Sequence, residues 1–239
     1  MTATLKERTR ARTARVFLMG NPNTGKSTLF NRLTGLRQRV GNYPGVTVEK
    51  KTGMLRLGDR DVEVVDLPGS YSLAAASPDE RVVIDALSGR IRGLAAPDLV
   101  VCVVDATNIQ RNLFLASQIA DAGIPLIIAL NLVDSARGSG LKIDCELLSR
   151  RLRVPVVPTA AVIGEGVETL RAAISWALEY PPHMAPVSWP SWMDAALDRL
   201  RSALGERMSA GVSEAELRRV LFDSEPVMLE RLGVPRERA

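Results

Sequence analysis

Along most of the chain, short apolar runs alternate with stretches in which apolar residues recur at helical spacing. Val16–Met19 reads as a buried strand running into Gly20, and a helix is expected from about Lys26 to Thr34 with Gly35 as its stop. Met54–Leu57, Gly58-Asp59 and Val62–Val65 together read as a hairpin. Leu99–Val104, Leu126–Leu130 and Val154–Val157 read as three further buried strands. Helical stretches follow each, at about 108–122, 144–152 and 167–179; in the last, Val167, Leu170, Ile174 and Leu178 share one face. Strands alternating with helices predict an α/β fold, a mostly parallel sheet with right-handed crossovers and helices on both faces.

The pattern breaks at Tyr180–Pro190, which holds four prolines and marks a boundary. Beyond it the spacing is helical throughout. Trp192, Leu197, Leu200 and Leu204 suit one helix face, Ser213-Glu-Ala-Glu216 has capping-box form, and Pro226–Leu232 reads as a third short helix. The expected organisation is a basic flexible tail (1–14), an α/β domain (15–180) and a small all-α domain (187–239).

Composition narrows the class. With 46% hydrophobic and 24% charged residues in 239, the chain is not a disordered one. No apolar run approaches the roughly 18 residues of a membrane span. The net charge of +4 equals the excess carried by residues 1–15 alone, where Lys6, Arg8, Arg10, Arg12 and Arg15 face only Glu7. The excess therefore belongs to a tail rather than a folded face, which argues against nucleic acid as a partner. Cys102 lies inside an apolar strand and reads as a buried small hydrophobe; with Cys145 it forms neither a metal motif nor a disulfide framework. His183 reads as a linker residue.

Candidate chemistry sits at strand ends. Gly20-Asn21-Pro22-Asn23-Thr24-Gly25-Lys26-Ser27, followed by Thr28, matches the phosphate-binding loop, Gly-x4-Gly-Lys-Ser/Thr. Its glycines let backbone N–H groups turn inward on phosphate oxygens, the next helix offers its positive end, Lys26 reaches the β/γ-phosphates and Ser27 can ligate Mg²⁺. Asp66-Leu-Pro-Gly69 closes a strand, so Asp66 suits a Mg²⁺-bound water and the Gly69 N–H a γ-phosphate. Asn131-Leu132-Val133-Asp134 closes another; Asp134 can accept from guanine N1–H and N2–H₂ together, a pairing adenine cannot make. An Asx turn is the plain alternative for this motif, and a Gly-rich strand–helix turn for the first. Thr159-Ala160-Ala161 would present a backbone N–H to the guanine oxygen. Gly45-Val46-Thr47 lies between loop helix and hairpin, with Thr47 the natural second Mg²⁺ hydroxyl. Arg37–Pro44 lacks periodicity and suits a mobile switch; Gly69–Ala76 suits a second. Where Ras-type GTPases carry a water-positioning Gln, this chain has Ser70, so hydrolysis must rest on positioning and electrostatics, or be very slow.

Together these stretches resemble the cytoplasmic G domain of FeoB, the bacterial ferrous-iron transporter. The resemblance covers about 15–180 and rests on residues 20–31, 40–51, 66–73 with 77–82, and 105–113. The family has Asn-Met-x-Asp where this chain has Asn131-Leu-Val-Asp134. The resemblance implies a GTP/GDP switch at the cytoplasmic face of the bacterial inner membrane, feeding a membrane permease domain of the same longer protein that residue 239 is reached without. It implies that 187–239 is the family's small helical, GDI-like domain favouring GDP, through Leu217–Asp223 and position. It also implies K⁺ activation through Asn23, placing Asn23, Lys26, Thr47 and Gly69 in the catalytic role. Homo-oligomerisation stays open. The competing readings are a stand-alone GTPase of ribosome or tRNA, and a nucleotide-gated scaffold with negligible turnover.

Overall fold

The computed structural model describes residues 13–35, 38–44, 46–73, 78–185, 190–205, 217, 218 and 221. Seven strands form one sheet in the order β2-β3-β4-β1-β5-β6-β7. They are β1 (Ala14–Gly20), β2 (Gln38–Asn42), β3 (Glu49–Leu57), β4 (Arg60–Asp66), β5 (Leu99–Asp105), β6 (Leu126–Asn131) and β7 (Val156–Pro158). Only β3 runs against the rest: it pairs antiparallel with β2 and β4, while β4, β1, β5, β6 and β7 pair in parallel. Strands β1, β5 and β6 are apolar at nearly every position because both faces of a parallel sheet are covered.

Two cores flank the sheet. On one face, α1 (Lys26–Thr34) contributes Leu29, Phe30 and Leu33, and α6 (Val167–Glu179) contributes Leu170, Ile174 and Ala177. On the other, α2 (Pro78–Leu87) contributes Val83 and α3 (Ile109–Asp121) contributes Leu115 and Ile119; α4 (Val133–Gly138) and α5 (Cys145–Leu152) pack there too. The expected α/β architecture is the observed one. β1 is flanked by β4 and β5, so connections leave it to both sides, and a crevice opens beyond its carboxyl end. That crevice receives the phosphate loop.

Several boundaries differ from expectation. The strand expected from Val16 starts at Ala14, which is buried; residues 1–12 of the expected tail lie outside the described residues. The strand expected at 154–157 is shorter and later, Val156–Pro158. Residues 38–42, read as an aperiodic switch, form edge strand β2; every residue in it is exposed, so no alternation marks it. Helix α4 has six residues, too few for a period to register.

Beyond the prolines, α7 (Ser191–Leu204) buries Met193, Leu197 and Leu204 in a small cluster with Leu217. Trp192, expected on that face, is 58% exposed, and Met193 takes its place. Ser213–Glu216 and Pro226–Leu232 lie outside the described residues. Among the described residues no helix is long and apolar enough to cross a membrane.

Candidate functional site

The loop after β1 wraps because two of its residues adopt left-handed backbone: Asn23 at φ 65° and Gly25 at φ 78°. Asn tolerates this region, and at Gly25 a Cβ would collide with Asn131 Nδ2. Gly25 caps α1 without a side-chain hydrogen bond, and the first turn carries no acidic residue. The N–H groups of that turn are thus open to an anion at the positive end of the helix. An open cavity of about 410 Å³ lies over it, lined by Asn21, Pro22, Asn23, Gly25, Lys26, Ser27, Thr28 and Gly69.

The remaining loop residues build this cradle from below. Thr24 is buried, and its hydroxyl donates to the carbonyl of Asn21 at 2.9 Å. The Gly20 carbonyl accepts from Ser70 N–H at 3.2 Å, and a Cβ on Gly69 would press on Pro22 at 3.2 Å, so the second switch starts directly against the loop. The Asn21 side chain is buried with neither amide atom hydrogen-bonded.

At the back of the cavity Lys26 Nζ pairs with Asp66 Oδ1, and Ser27 Oγ lies 3.4 Å from Asp66 Oδ2. The Lys expected to meet phosphate and the carboxylate expected to meet a metal are therefore partners of one another in this arrangement. The hydroxyl and carboxylate lie side by side on the edge of the cradle, a hard-oxygen pair of the kind Mg²⁺ takes.

A second wall continues from the cradle. Asn131 is fully buried: Nδ2 donates to the Thr24 carbonyl at 2.8 Å, while Oδ1 accepts from Thr159 Oγ1 at 3.1 Å and Ala161 N–H at 3.0 Å. One carboxamide thus joins the phosphate loop to Thr159–Ala161, all three of which are buried. Leu132 takes φ 62°, an uncommon setting for leucine, and turns the chain so that α4 starts with Asp134 in its first turn. Asp134 Oδ1 is buried with no hydrogen-bond partner. A buried carboxylate oxygen left so is costly, and it fits a ligand that brings N–H donors.

The loop closing this wall is strapped from two sides. Arg32 of α1 donates from Nε to the Ala161 carbonyl at 3.0 Å and from Nη2 to that of Val162. Arg137 of α4 grips Glu165 with two parallel bonds, 2.9 and 2.7 Å. These bonds to Arg137 hold the Glu165 carboxyl below its usual range. Gly166, at φ 76°, is required because a Cβ there would strike the Pro158 carbonyl.

Thr47 is not brought to the site: it is exposed and absent from the cavity lining, as is Val46. β2 pairs with β3 up to Asn42 opposite Glu49, so Thr47 falls in the connection between the two strands, a pairing that no alternation in the sequence signalled. Gly45 lies outside the described residues. Ser70 is buried, and its hydroxyl donates to the Ser72 carbonyl, so it is no base. The sequence reading missed Arg32, Arg137, Glu165 and Tyr43. Only the flanking Gly164 and Gly166 hinted at Glu165, and the aromatic in Gly41-Asn42-Tyr43-Pro44 at Tyr43. Cys102 and Cys145 are free thiols, as expected, and His183 is an exposed residue of the linker.

Residues 14–174 match the family model described as Ferrous iron transport protein B. The Fe(2+) transporter FeoB of Salmonella typhimurium is 49% identical over 162 residues, which cover 66% of this chain and 20% of the transporter. The chain thus spans about a fifth of the length of the curated relatives it matches. Among solved structures, the cytosolic domain of L. pneumophila FeoB aligns with a TM-score of 0.79 at 35% identity, covering 92% of this chain and 86% of that one. The cytosolic domain of T. maritima FeoB in its GMPPNP form aligns with a TM-score of 0.79 at 32% identity, covering 94% and 88%. A match spanning the sheet, the phosphate loop and both walls of the cavity settles the relationship: the chain belongs to the FeoB family and carries its N-terminal G domain.

Proposed function

We propose that this chain binds and slowly hydrolyses GTP, and that it serves as the regulatory module of a bacterial Fe(II) transporter. The observation that carries the guanine reading is the buried, unpartnered Asp134 Oδ1, set on a wall that Asn131 ties to the phosphate cradle. Guanine N1–H and N2–H₂ satisfy that carboxylate together. Adenine leaves it unpaired, at a cost of about 2 kcal/mol or more. A T. maritima relative solved in a GMPPNP form supports the same choice of nucleotide.

Ser27 would hold Mg²⁺, with Asp66 through water and Thr47 once the first switch moves; Asn23 would hold K⁺. These cations supply positive charge at the phosphates, the contribution an arginine finger makes elsewhere. Lys26 must leave Asp66 to meet the phosphates, so nucleotide entry exchanges one ion pair for another. Gly69, at the lip of the cavity, offers its N–H to the γ-phosphate. The Ser70 hydroxyl is spent on the Ser72 carbonyl and offers no base to an attacking water. Turnover then depends on positioning and charge and stays slow.

Curated relatives are several times longer than this chain and are named Fe(2+) transporters. We place the chain accordingly at the cytoplasmic face of the bacterial inner membrane, feeding a permease domain, with the segment from about 187 biasing it toward GDP.

The test is initial GTP hydrolysis with Mg²⁺ in matched KCl and NaCl, for the parent and Asn23→Ala. Stimulation by K⁺ that disappears in the variant supports the cation site. Equal rates in both salts overturn it, and binding of ADP as tight as GDP overturns the guanine reading.

A further inference from the structure

Within Gln38–Thr47, Tyr43 is the one buried side chain among the described residues, at 2% exposure. It belongs to the core cluster that contains Leu67, just before the second switch, and Leu73, within it. Backbone bonds close the hairpin around it. β2 and β3 pair from Gln38 opposite Gly53 to Asn42 opposite Glu49, Tyr43 N–H donates to the Val48 carbonyl at 2.9 Å, and Val46 N–H donates to the Tyr43 carbonyl at 3.2 Å. Tyr43 is thus the plug that seats the first switch in a socket beside the second. Seated so, the hairpin leaves Thr47 exposed and outside the cavity.

The plug carries a flaw. Its hydroxyl is buried with no hydrogen-bond partner, and an aromatic chosen for packing alone would be phenylalanine. A buried, unsatisfied hydroxyl raises the free energy of the seated state and is relieved when the ring leaves the socket. Burial and then the negative charge of Asp66 also push the phenol above its usual pKa, so ionisation offers it no relief.

We propose that Tyr43 is a positioning residue for nucleotide discrimination: a latch, weakened by its own hydroxyl, that parks Thr47 away from the metal site and yields when a nucleoside triphosphate and Mg²⁺ draw Thr47 in. The proposal rests on the reading of Thr47 as a Mg²⁺ ligand. A nucleoside diphosphate leaves the γ-phosphate position empty and gains little from unlatching, so the latch tunes the ratio of the two affinities. Because triphosphate binding draws on the unlatched population, its apparent affinity scales with that population.

The experiment measures affinities for fluorescent GDP and for GMPPNP with Mg²⁺, and the melting temperature without nucleotide, for the parent, Tyr43→Phe and Thr47→Ala. Tyr43→Phe keeps the ring and removes the flaw. Its GMPPNP affinity should fall roughly five- to tenfold with GDP affinity held, while the melting temperature rises by about 2–4 °C. A purely structural role predicts equal losses for both nucleotides, and that result overturns the latch, as do parental values throughout. Thr47→Ala should lose more affinity for GMPPNP than for GDP. If it does not, the metal-ligand reading and the latch fall together; if it does while Tyr43→Phe leaves the ratio unmoved, the latch alone falls.

Discussion

Asn131 donates a 2.8 Å hydrogen bond to the carbonyl of Thr24 from 107 residues away in the chain. Because its oxygen also accepts from Thr159 and Ala161, this one buried carboxamide sets the distance between phosphate cradle and base wall. Asn131→Ala strips three bonds at once and leaves a buried carbonyl, hydroxyl and N–H unsatisfied. Calorimetry should show a loss of roughly 2–4 kcal/mol, and GDP affinity should fall with it. Unchanged stability would mean the two halves hold their spacing without Asn131.

The role proposed for Asp134, whose Oδ1 is buried without a hydrogen-bond partner, is to select the base. Asp134→Asn replaces an acceptor with a group that offers a donor, so guanine loses its bidentate partner while xanthine, with a carbonyl at C2, gains one. GDP affinity should drop by about two orders of magnitude and XDP affinity should rise above it, read by competition against a fluorescent nucleotide. If GDP remains preferred, the carboxylate does not face the base.

The strap from Arg137 to Glu165 is exposed, so salt and pH should reach it. Its hydrogen bonds to Arg137 lower the Glu165 pKa in the folded state; the strap is therefore intact above the ordinary glutamate range and is lost as pH falls through the lowered value. GDP release, followed by stopped-flow fluorescence, should quicken severalfold with rising NaCl and with acidification toward that value. In Glu165→Gln release should already be fast at neutral pH and nearly flat in salt. A salt slope retained by the variant would assign the dependence to other charges.

Cys102 sits on β5 with no solvent exposure, and burial pushes its thiol up to about 12. Only Cys145, half-buried at the start of α5, should react with a thiol reagent in the folded protein near pH 8, even though burial raises its pKa as well. Both should react in denaturant, counted by mass spectrometry. A double adduct under native conditions would require β5 to open.

Much of this was legible locally. Helix α1 and helix α6 begin and end where periodicity, Gly35 and the flanking sequence place them, because a helix is specified by residues three and four apart. The Gly20–Ser27 loop, Asp66 and Asn131–Asp134 were legible as motifs for the same reason, each being a set of groups at fixed short spacing, and the structure brings the three together. The edge strand β2 was not, since five exposed residues with no buried face carry no alternation and are held only by pairing with β3. Nor was α4, whose single long turn depends on the left-handed Leu132 before it. Thr47 shows the limit most clearly. Its hydroxyl was readable, but its position outside the cavity goes with a β2–β3 register that the residues around Thr47 do not contain.

The α/β alternation and the Gly-x4-Gly-Lys-Ser motif at the end of β1 are written in near neighbours along the chain. Tertiary structure alone decided which groups share a bond. It set Lys26 against Asp66, Arg32 against the Ala161 carbonyl, Arg137 against Glu165 and Asn131 against the Thr24 carbonyl. Those pairings join residues 28 to 129 positions apart, and only sheet order and helix packing bring them within hydrogen-bond reach. Motifs state what a site can bind; the packing around them sets when it is open to do so.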